Sequence, residues 1–362
     1  MIEAGLFMDA YFCSLKIQEQ YMQRCLQLAA MGAGKVAPNP MVGAVLVYND
    51  RIIGEGYHQK YGEAHAEVNC INSVVDADKK FIESSTLYVS LEPCVHFGKT
   101  PPCAELIIRN KIPQVVIGCS DSFEAVSGKG IERLKGTGTE VTVGILEKEC
   151  LELNKRFFVF HEKKRPYITL KWAQSNNGKI GSAGAERIFI SNEFTNLLVH
   201  QWRSEAAAIL VGTNTALKDN PALTTRLWPG NNPIRLVIDM NLKLPPTLQL
   251  FDGTVRTIVF NRHRHDDSVL PSYYKIECRE KMPEEILHAL YNLQIQSVMI
   301  EGGGALLQSF INENLWDEAR VITNTTLEIA EGINAPILQP QKTIKEENIH
   351  TDSVVYFKND FQ

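Results

Sequence analysis

The chain has 362 residues, 44% of them hydrophobic and 22% charged, an ordinary globular composition with length enough for two domains, each burying its own core. A formal net charge of -5 excludes any global attraction to nucleic acid or to an anionic membrane, so a bound anion has to meet a local basic pocket. The opening MIEAGLFMDAYFCSLK has an acid before any base and no small-residue cleavage site, and no apolar run approaches the roughly 18 residues of a membrane span; a cytoplasmic protein is expected.

From Ile17 to Met31 apolar residues recur at helical spacing, until GAGKVAPNP breaks the pattern. MVGAVLVYNDRIIGEGYH reads as two short strands around an Asn49-Asp50 hairpin turn. Helix AHAEVNCINSVV, strand STLYVSLEPC, helix PPCAELIIRN and strand PQVVIGCSD follow, an order that predicts a layered α/β sheet with helices on its faces. The charged stretch FHEKKRP marks a boundary near residues 161 to 165, which predicts domains at 1–163 and 164–362. Beyond it come strand YITLKWA, helix NEFTNLLVHQWRS, strands AAAILVG, IRLVIDM, VRTIVFN and QSVMIEGGG, and helix ALLQSFINEN. No low-complexity segment or repeat period interrupts this series.

Two stretches carry metal chemistry: HAEVNC, starting at His65, and LEPCVHFGKTPPC, ending at Cys103. Alone, His-x-Glu is an ordinary helix start. Joined to Cys94 after Pro93 and Cys103 after two prolines, it becomes a three-ligand frame at helix N-termini, where the dipole favours thiolates. The eight cysteines (13, 25, 70, 94, 103, 119, 150 and 278) have no repeating spacing, which favours reduced thiols or metal ligands over disulfides. Three protein ligands leave a zinc ion one position for water, whose acidity it raises, while a glutamate outside the ligand set, Glu67, shuttles the proton. Such a site performs hydrolytic deamination. The competing reading is a closed structural zinc with a fourth ligand from His96, Cys70 or Cys119.

The motifs PNPMVGAVLV, GEGYH, HAE and LEPCVHFGKTPPC, with eight residues between the two cysteines, closely resemble the deaminase half of the bifunctional riboflavin-biosynthesis deaminase-reductase family, from about residue 21 onward. The resemblance implies a cytidine-deaminase-like three-layer α/β fold with zinc ligands His65, Cys94 and Cys103, and Glu67 as proton shuttle. Asn39 and His58 match positions that line the pyrimidine pocket; by themselves they are a turn asparagine and a strand-end histidine. The VHFGKTPP insert brings His96 and Lys99 toward the metal, where a ribose phosphate could meet them. Residues 1 to 16 extend beyond the resemblance.

In the second half, IEGGGALLQSF places three glycines between a strand and a helix, a geometry that lets backbone N–H groups approach a phosphate, although it is not the G-x-G-x-x-G fingerprint. KDNPALTTR supplies Asp219 and Arg226; FNRHRH puts Arg262 and Arg264 at a strand end, as a solvated tip or as readers of a 2'-phosphate. This half is similar to the family's reductase domain, whose fold resembles dihydrofolate reductase and which uses NADPH to reduce a ribosylamino to a ribitylamino group. The resemblance implies Lys171, Arg203, Leu223, Arg226 and Glu301 on the substrate side. It implies Ala173, Phe189, Thr215, Asp219, Gly303 and Gly304 on the cofactor side. Two departures stand out: Asn177-Gly178 where the family usually has Asp-Gly, and Phe189 where it usually has Trp. The partner expected is a phosphorylated pyrimidine, with no nucleic acid or membrane, in a homo-oligomer, a dimer being favoured. The rival reading is a nucleoside or tRNA-type deaminase with a non-catalytic C-terminal module.

Overall fold

The structure is a computed structural model that describes residues 2–95, 101–122, 126–184, 188–278, 280–338 and 341–359, with side chains from residue 15 onward. The chain divides into two units, Met1–Lys163 and Lys164–Gln362.

In the first unit, α1 (Ile2–Ala30) leads into the hairpin β1 (Gly43–Tyr48) and β2 (Arg51–Tyr57). Asn49 and Asp50, at φ 45° and 57°, form a two-residue turn with both central residues left-handed, the geometry that matches the twist of the flanking strands. Then come α2 (Ala66–Asn72), β3 (Thr86–Leu91), α3 (Cys103–Arg109), β4 (Gln114–Cys119), α4 (Lys129–Lys135), β5 (Glu140–Val143), α5 (Glu147–Leu153) and α6 (Lys155–Lys163). The sheet order is β2-β1-β3-β4-β5, with β1 antiparallel to β2 and β3, and β3, β4 and β5 parallel. Strand alternation builds two cores. Ala44, Leu46, Leu87, Val89, Val115 and Ile117 face α2, α3 and α4; Val45, Val47, Tyr88 and Val116 face α1, α5 and α6. Because both faces are covered, the central strands are apolar throughout rather than alternating with polar residues. The charged stretch expected at the boundary is partly helical: His161 to Lys163 finish α6, which is anchored by buried Phe157, Phe158 and Phe160.

The second unit contains β6 (Tyr167–Ser175), β7 (Lys179–Ser182), α7 (Glu193–Glu205), β8 (Ala208–Val211), α8 (Thr213–Asp219), β9 (Ile234–Ile238), β10 (Thr257–Asn261) and β11 (Ser272–Lys275). It continues with α9 (Met282–Asn292), β12 (Ser297–Glu301), α10 (Gly304–Asn312), β13 (Glu318–Asn324), β14 (Gly332–Asn334), β15 (Lys342–Ile349) and β16 (Asp352–Lys358). Nine strands form one sheet in the order β11-β10-β9-β8-β12-β6-β13-β16-β15, parallel except for the pairs made by β16. α9 and α10 cover one face, α7 and α8 the other. Where the chain enters this unit, Arg165 makes a bidentate ion pair with Asp317 (2.7 and 2.8 Å), and Asp317 also accepts the Ile168 amide. Both partners are buried, so each charge depends on the other.

Candidate functional sites

His65 is the N-cap of α2, in extended conformation, and Cys103 is the first residue of α3, after Pro102. Cys94 follows β3 in the next loop. Its thiol accepts the Cys103 backbone N–H at 3.4 Å, and its carbonyl accepts the Ala104 N–H at 3.1 Å, which ties the two cysteine segments together. The Nδ1 of His65 lies 3.6 Å from Cys94 Sγ and 3.4 Å from Cys103 Sγ, and all three donor atoms fall within 4.8 Å of one another. Tetrahedral zinc with Zn–S near 2.3 Å and Zn–N near 2.0–2.1 Å sets its donors roughly 3.5–3.8 Å apart, so the donor set fits that ion as it stands. Hydrogen bonding with Cys103 lowers the Cys94 thiol pKa while that of Cys103 rises: the two sulfurs share one proton, which a bound cation displaces.

Glu67, buried at 3% exposure, sits on the first turn of α2 with its carboxyl at Cys103 Sγ. Burial raises its pKa, and the Cys94 charge adds to this, the condition in which a carboxyl both takes up and returns a proton. His58 donates from Nδ1 to the Ala64 carbonyl (3.0 Å), so its Nε2 accepts from the Asn39 amide (3.1 Å). Burial holds His58 below its ordinary pKa, consistent with this neutral tautomer. Its ring meets that of His65 edge-on, centroids 5.4 Å apart, which brings Asn39 and His58 to the metal frame. Cys70 and Cys119 lie in the two apolar cores, and the only metal-ligating cluster among the described residues is His65, Cys94 and Cys103. His96 and Lys99 lie outside the described residues.

Three residues that sequence reasoning passed over complete this site. Glu92, in the LEPC motif, accepts four backbone amides: Asp121 and Gly128 at Oε2 (3.1 and 3.0 Å), Gly130 and Ile131 at Oε1 (2.8 and 3.3 Å). It thereby anchors the start of α4 beside the Cys94 loop. Asn69 donates to the carbonyls of Tyr57 and Ala64 (2.8 and 3.3 Å). Asn154 pairs with both backbone groups of Met41, accepting its N–H and donating to its carbonyl at 2.8 Å each, and so holds the loop that carries Asn39. The motif letters pointed to Glu92; no local signal marks Asn154, whose partner is 113 positions away.

In the second unit a row of in-register polar residues crosses the sheet face under α7: Glu301 on β12, Lys171 on β6 and Arg320 on β13. Arg203 of α7 grips Glu301 through two hydrogen bonds, 2.8 and 2.7 Å, and donates to the Thr224 carbonyl at 3.3 Å. Burial pushes the Glu301 carboxyl up, but Arg203 and Lys171 together outweigh it and hold the pKa at about 2. Burial lowers the Lys171 ammonium. Leu223 is buried with φ 49°, and Arg226 is exposed, its Nη1 donating to Thr224 Oγ1 at 2.9 Å. His200, also overlooked, accepts the Arg226 amide on Nδ1 at 3.0 Å.

The glycine loop follows Glu301 directly. Gly302 and Gly303 have φ 76° and 75°, and Gly303 caps the nine-residue α10. A Cβ at Gly303 would lie 3.2 Å from Thr215 Oγ1, and one at Gly304 3.1 Å from Ile180, so α8 and β7 leave room for backbone alone. A bare-backbone turn at a helix N-terminus suits a dinucleotide phosphate, and the residues present fit that group. Asp219 ends α8 one turn beyond Thr215, and Ala173 lies on β6 two residues from Lys171. Phe189 is 76% exposed. Asn177 accepts from Ser175 Oγ (2.7 Å) and from the Ile329 N–H (3.2 Å), and donates to the Ile329 carbonyl (2.9 Å). An aspartate lacks that donor, so the Asn-for-Asp departure has a local structural use. At the end of β10, Arg264 stacks over Tyr273 at 3.5 Å.

Comparison with known proteins agrees with this geometry. Residues 15–119 match the model of the cytidine and deoxycytidylate deaminase zinc-binding region, and residues 166–346 that of the RibD C-terminal domain. The riboflavin biosynthesis protein RibD of Aquifex aeolicus is 37% identical, with 95% of this chain and 99% of that protein covered. The Escherichia coli RibD is 33% identical over 83% of this chain and 85% of its own. A Thermotoga maritima structure, described as a diaminohydroxyphosphoribosylaminopyrimidine deaminase/5-amino-6-(5-phosphoribosylamino)uracil reductase, superposes with TM-score 0.85 at 35% identity, covering 96% of this chain and 99% of that one. Acinetobacter baumannii RibD superposes at 0.87 and 30% identity, covering 95% and 99%. The second half therefore matches a reductase-family domain rather than an unrelated binding module, and the rival reading falls.

Proposed function

Because the chain belongs to the RibD family of bifunctional riboflavin-biosynthesis proteins, a zinc deaminase and an NADPH reductase in one polypeptide, we propose that residues 1–163 carry the deamination and residues 164–362 the reduction. The first step replaces an amino group of 2,5-diamino-6-(5-phosphoribosylamino)pyrimidin-4-one by oxygen from water and releases ammonia. The second reduces the ribosylamino to the ribitylamino group.

The observation that carries the deaminase reading is the approach of His65, Cys94 and Cys103 with a buried, non-ligating glutamate beside them. His65, Cys94 and Cys103 would hold a zinc ion, which would supply Lewis acidity and make water more acidic. Glu67 takes the proton of the attacking water on its carboxylate and returns it to the departing amine. Asn39, oriented by neutral His58, presents its amide to the pyrimidine edge.

For the reductase, NADPH supplies the hydride. Gly303, Gly304 and Thr215 would cradle its phosphates, with Ala173, Asp219 and Phe189 along the cofactor. Lys171, Arg203, Leu223, Arg226 and Glu301 form the substrate side; Arg226 supports a role at the phosphate because its guanidinium lies at the surface of the loop. Arg262 and Arg264 are our candidates for reading the 2'-phosphate. Equal turnover with NADPH and NADH would reject that role. The seven described cysteines are unpaired thiols, and no described helix is long and apolar enough to cross a membrane; both support a reducing cytoplasmic setting. We read the assembly as a homodimer, supported by exposed Phe194 and Leu197 on α7, and light scattering tests it.

The decisive experiment measures zinc content together with ammonia release from the diaminopyrimidine phosphate and NADPH oxidation with the deaminated product. Stoichiometric zinc and both turnovers are expected. Zinc without ammonia release would leave the metal structural.

A further inference from the structure

α7 turns two basic side chains, one turn apart, onto the segment from Leu223 to Leu227. Arg203 reaches the Thr224 carbonyl, and the His200 imidazole accepts the amide of Arg226 at 3.0 Å and, less closely, that of Leu227 at 3.5 Å. Both amides point at Nδ1, so that nitrogen bears no proton and the neutral ring carries its proton on Nε2. The other side of the segment is held as well: Asn232 Oδ1 accepts the Thr225 N–H at 2.8 Å, and Thr225 Oγ1 donates to the Asn231 carbonyl at 3.2 Å. Arg226 is the exposed basic residue of this segment, resting on Thr224 Oγ1, and its backbone is fixed by the buried ring of His200.

We propose that His200 is a positioning residue of the reductase: its Nδ1 lone pair fixes the backbone at Arg226, so that the guanidinium is already aimed at the substrate's phosphate before binding. The proposal rests on the reading of Arg226 as a substrate-binding residue. A general contribution to folding would not select one substrate. Here the anchored backbone belongs to the segment on the substrate side, whereas the glycine turn lies against Thr215 on α8. A loop that must be ordered at the moment of binding weakens the complex without changing the reacting atoms. The ring must also stay uncharged, since a proton on Nδ1 removes the acceptor and places a cation beside Arg203, Arg226 and Lys171, with Glu301 alone opposing.

The test uses the full-length enzyme. His200→Asn keeps an acceptor where Nδ1 stood, whereas His200→Gln, equally polar, moves it one bond outward. Reductase kcat and the KM values for the phosphorylated substrate and for NADPH are measured for both, alongside Arg226→Ala. His200→Gln should raise the substrate KM about tenfold, as expected when a loop amide loses its partner, with kcat and NADPH KM little changed. His200→Asn should recover most of the loss. Equal behaviour of Asn and Gln, or a parallel change in kcat and both KM values, overturns the proposal. If Arg226→Ala raises the substrate KM and His200→Gln does not, the failure belongs to His200. An Arg226→Ala variant with unchanged substrate KM overturns the reading of Arg226 and this proposal with it.

Discussion

Glu67 occupies a position where charge is costly: it is buried beside sulfurs that carry negative charge once a metal is bound, and our reading gives it the proton of the reaction. Glu67→Gln keeps the shape and all three ligands, so zinc content should stay near one per chain while ammonia release falls about 10²-fold or more. A loss below roughly fivefold would remove Glu67 from the chemistry. Cys94→Ser should instead cost metal and deamination together, and full zinc occupancy in that variant would refute the ligand set. His200 gives a prediction in pH. Burial, reinforced by Arg203 and Arg226, pushes its pKa down to about 4, below the ordinary value of 6.5. The unfolded chain gains a proton as pH falls through 6.5, and the folded protein does so only near 4. Its stabilising contribution is therefore complete above 6.5 and declines between 6.5 and 4. Urea unfolding should show wild type losing stability relative to His200→Asn, which does not titrate, as pH falls across this window; a constant difference would contradict the shift. His65, Glu67, Cys94 and Cys103 were legible because each lies inside a short motif, whereas His200 acts on an amide 26 positions away.

At the scale of elements, the glycine turn ahead of α10 rests on conformation as much as on space. Gly303→Ala forces a side chain into φ 75° and against Thr215, which costs about 1–2 kcal/mol of backbone strain and displaces the amides we assign to the cofactor. NADPH binding, followed by fluorescence, should weaken at least about tenfold while zinc content and deamination hold. Unchanged binding would reduce the turn to a plain connection. The short apolar runs of β1, β3 and β4, the hairpin that adds β2, and the helices α2, α3, α7 and α10 could be read directly. Strands β13, β15 and β16 could not: KTIKEENI is exposed nearly throughout and gains its order from pairing with β16. The charged run at 161–163 reads as connection in one dimension, and becomes the end of α6 because three phenylalanines upstream bury that helix.

For the whole molecule, the division after Lys163 predicts that residues 164–362 fold alone and oxidise NADPH with the deaminated substrate in the presence of a zinc chelator. Arg165→Ala in that fragment should cost about 3–5 kcal/mol, since it leaves the buried Asp317 without its ion partner; calorimetry of the fragment with and without the substitution checks the difference, and equal stability would contradict it. The two-unit plan was legible from the repeated α/β pattern and the charged break, but the Arg165–Asp317 closure was not, because it joins positions 152 apart. The same kind of long closure gives the first unit an order of assembly. Its three metal donors have all been synthesised by Cys103, whereas the loop bearing Asn39 is fastened through Met41 only when Asn154 arrives. In a chain emerging from the ribosome the three donors thus precede, by some fifty residues, the asparagine that fastens the Asn39 loop. A chain arrested before Asn154 is therefore expected to take up zinc while the Asn39 loop is still unfastened, and zinc content of such a truncated chain checks it.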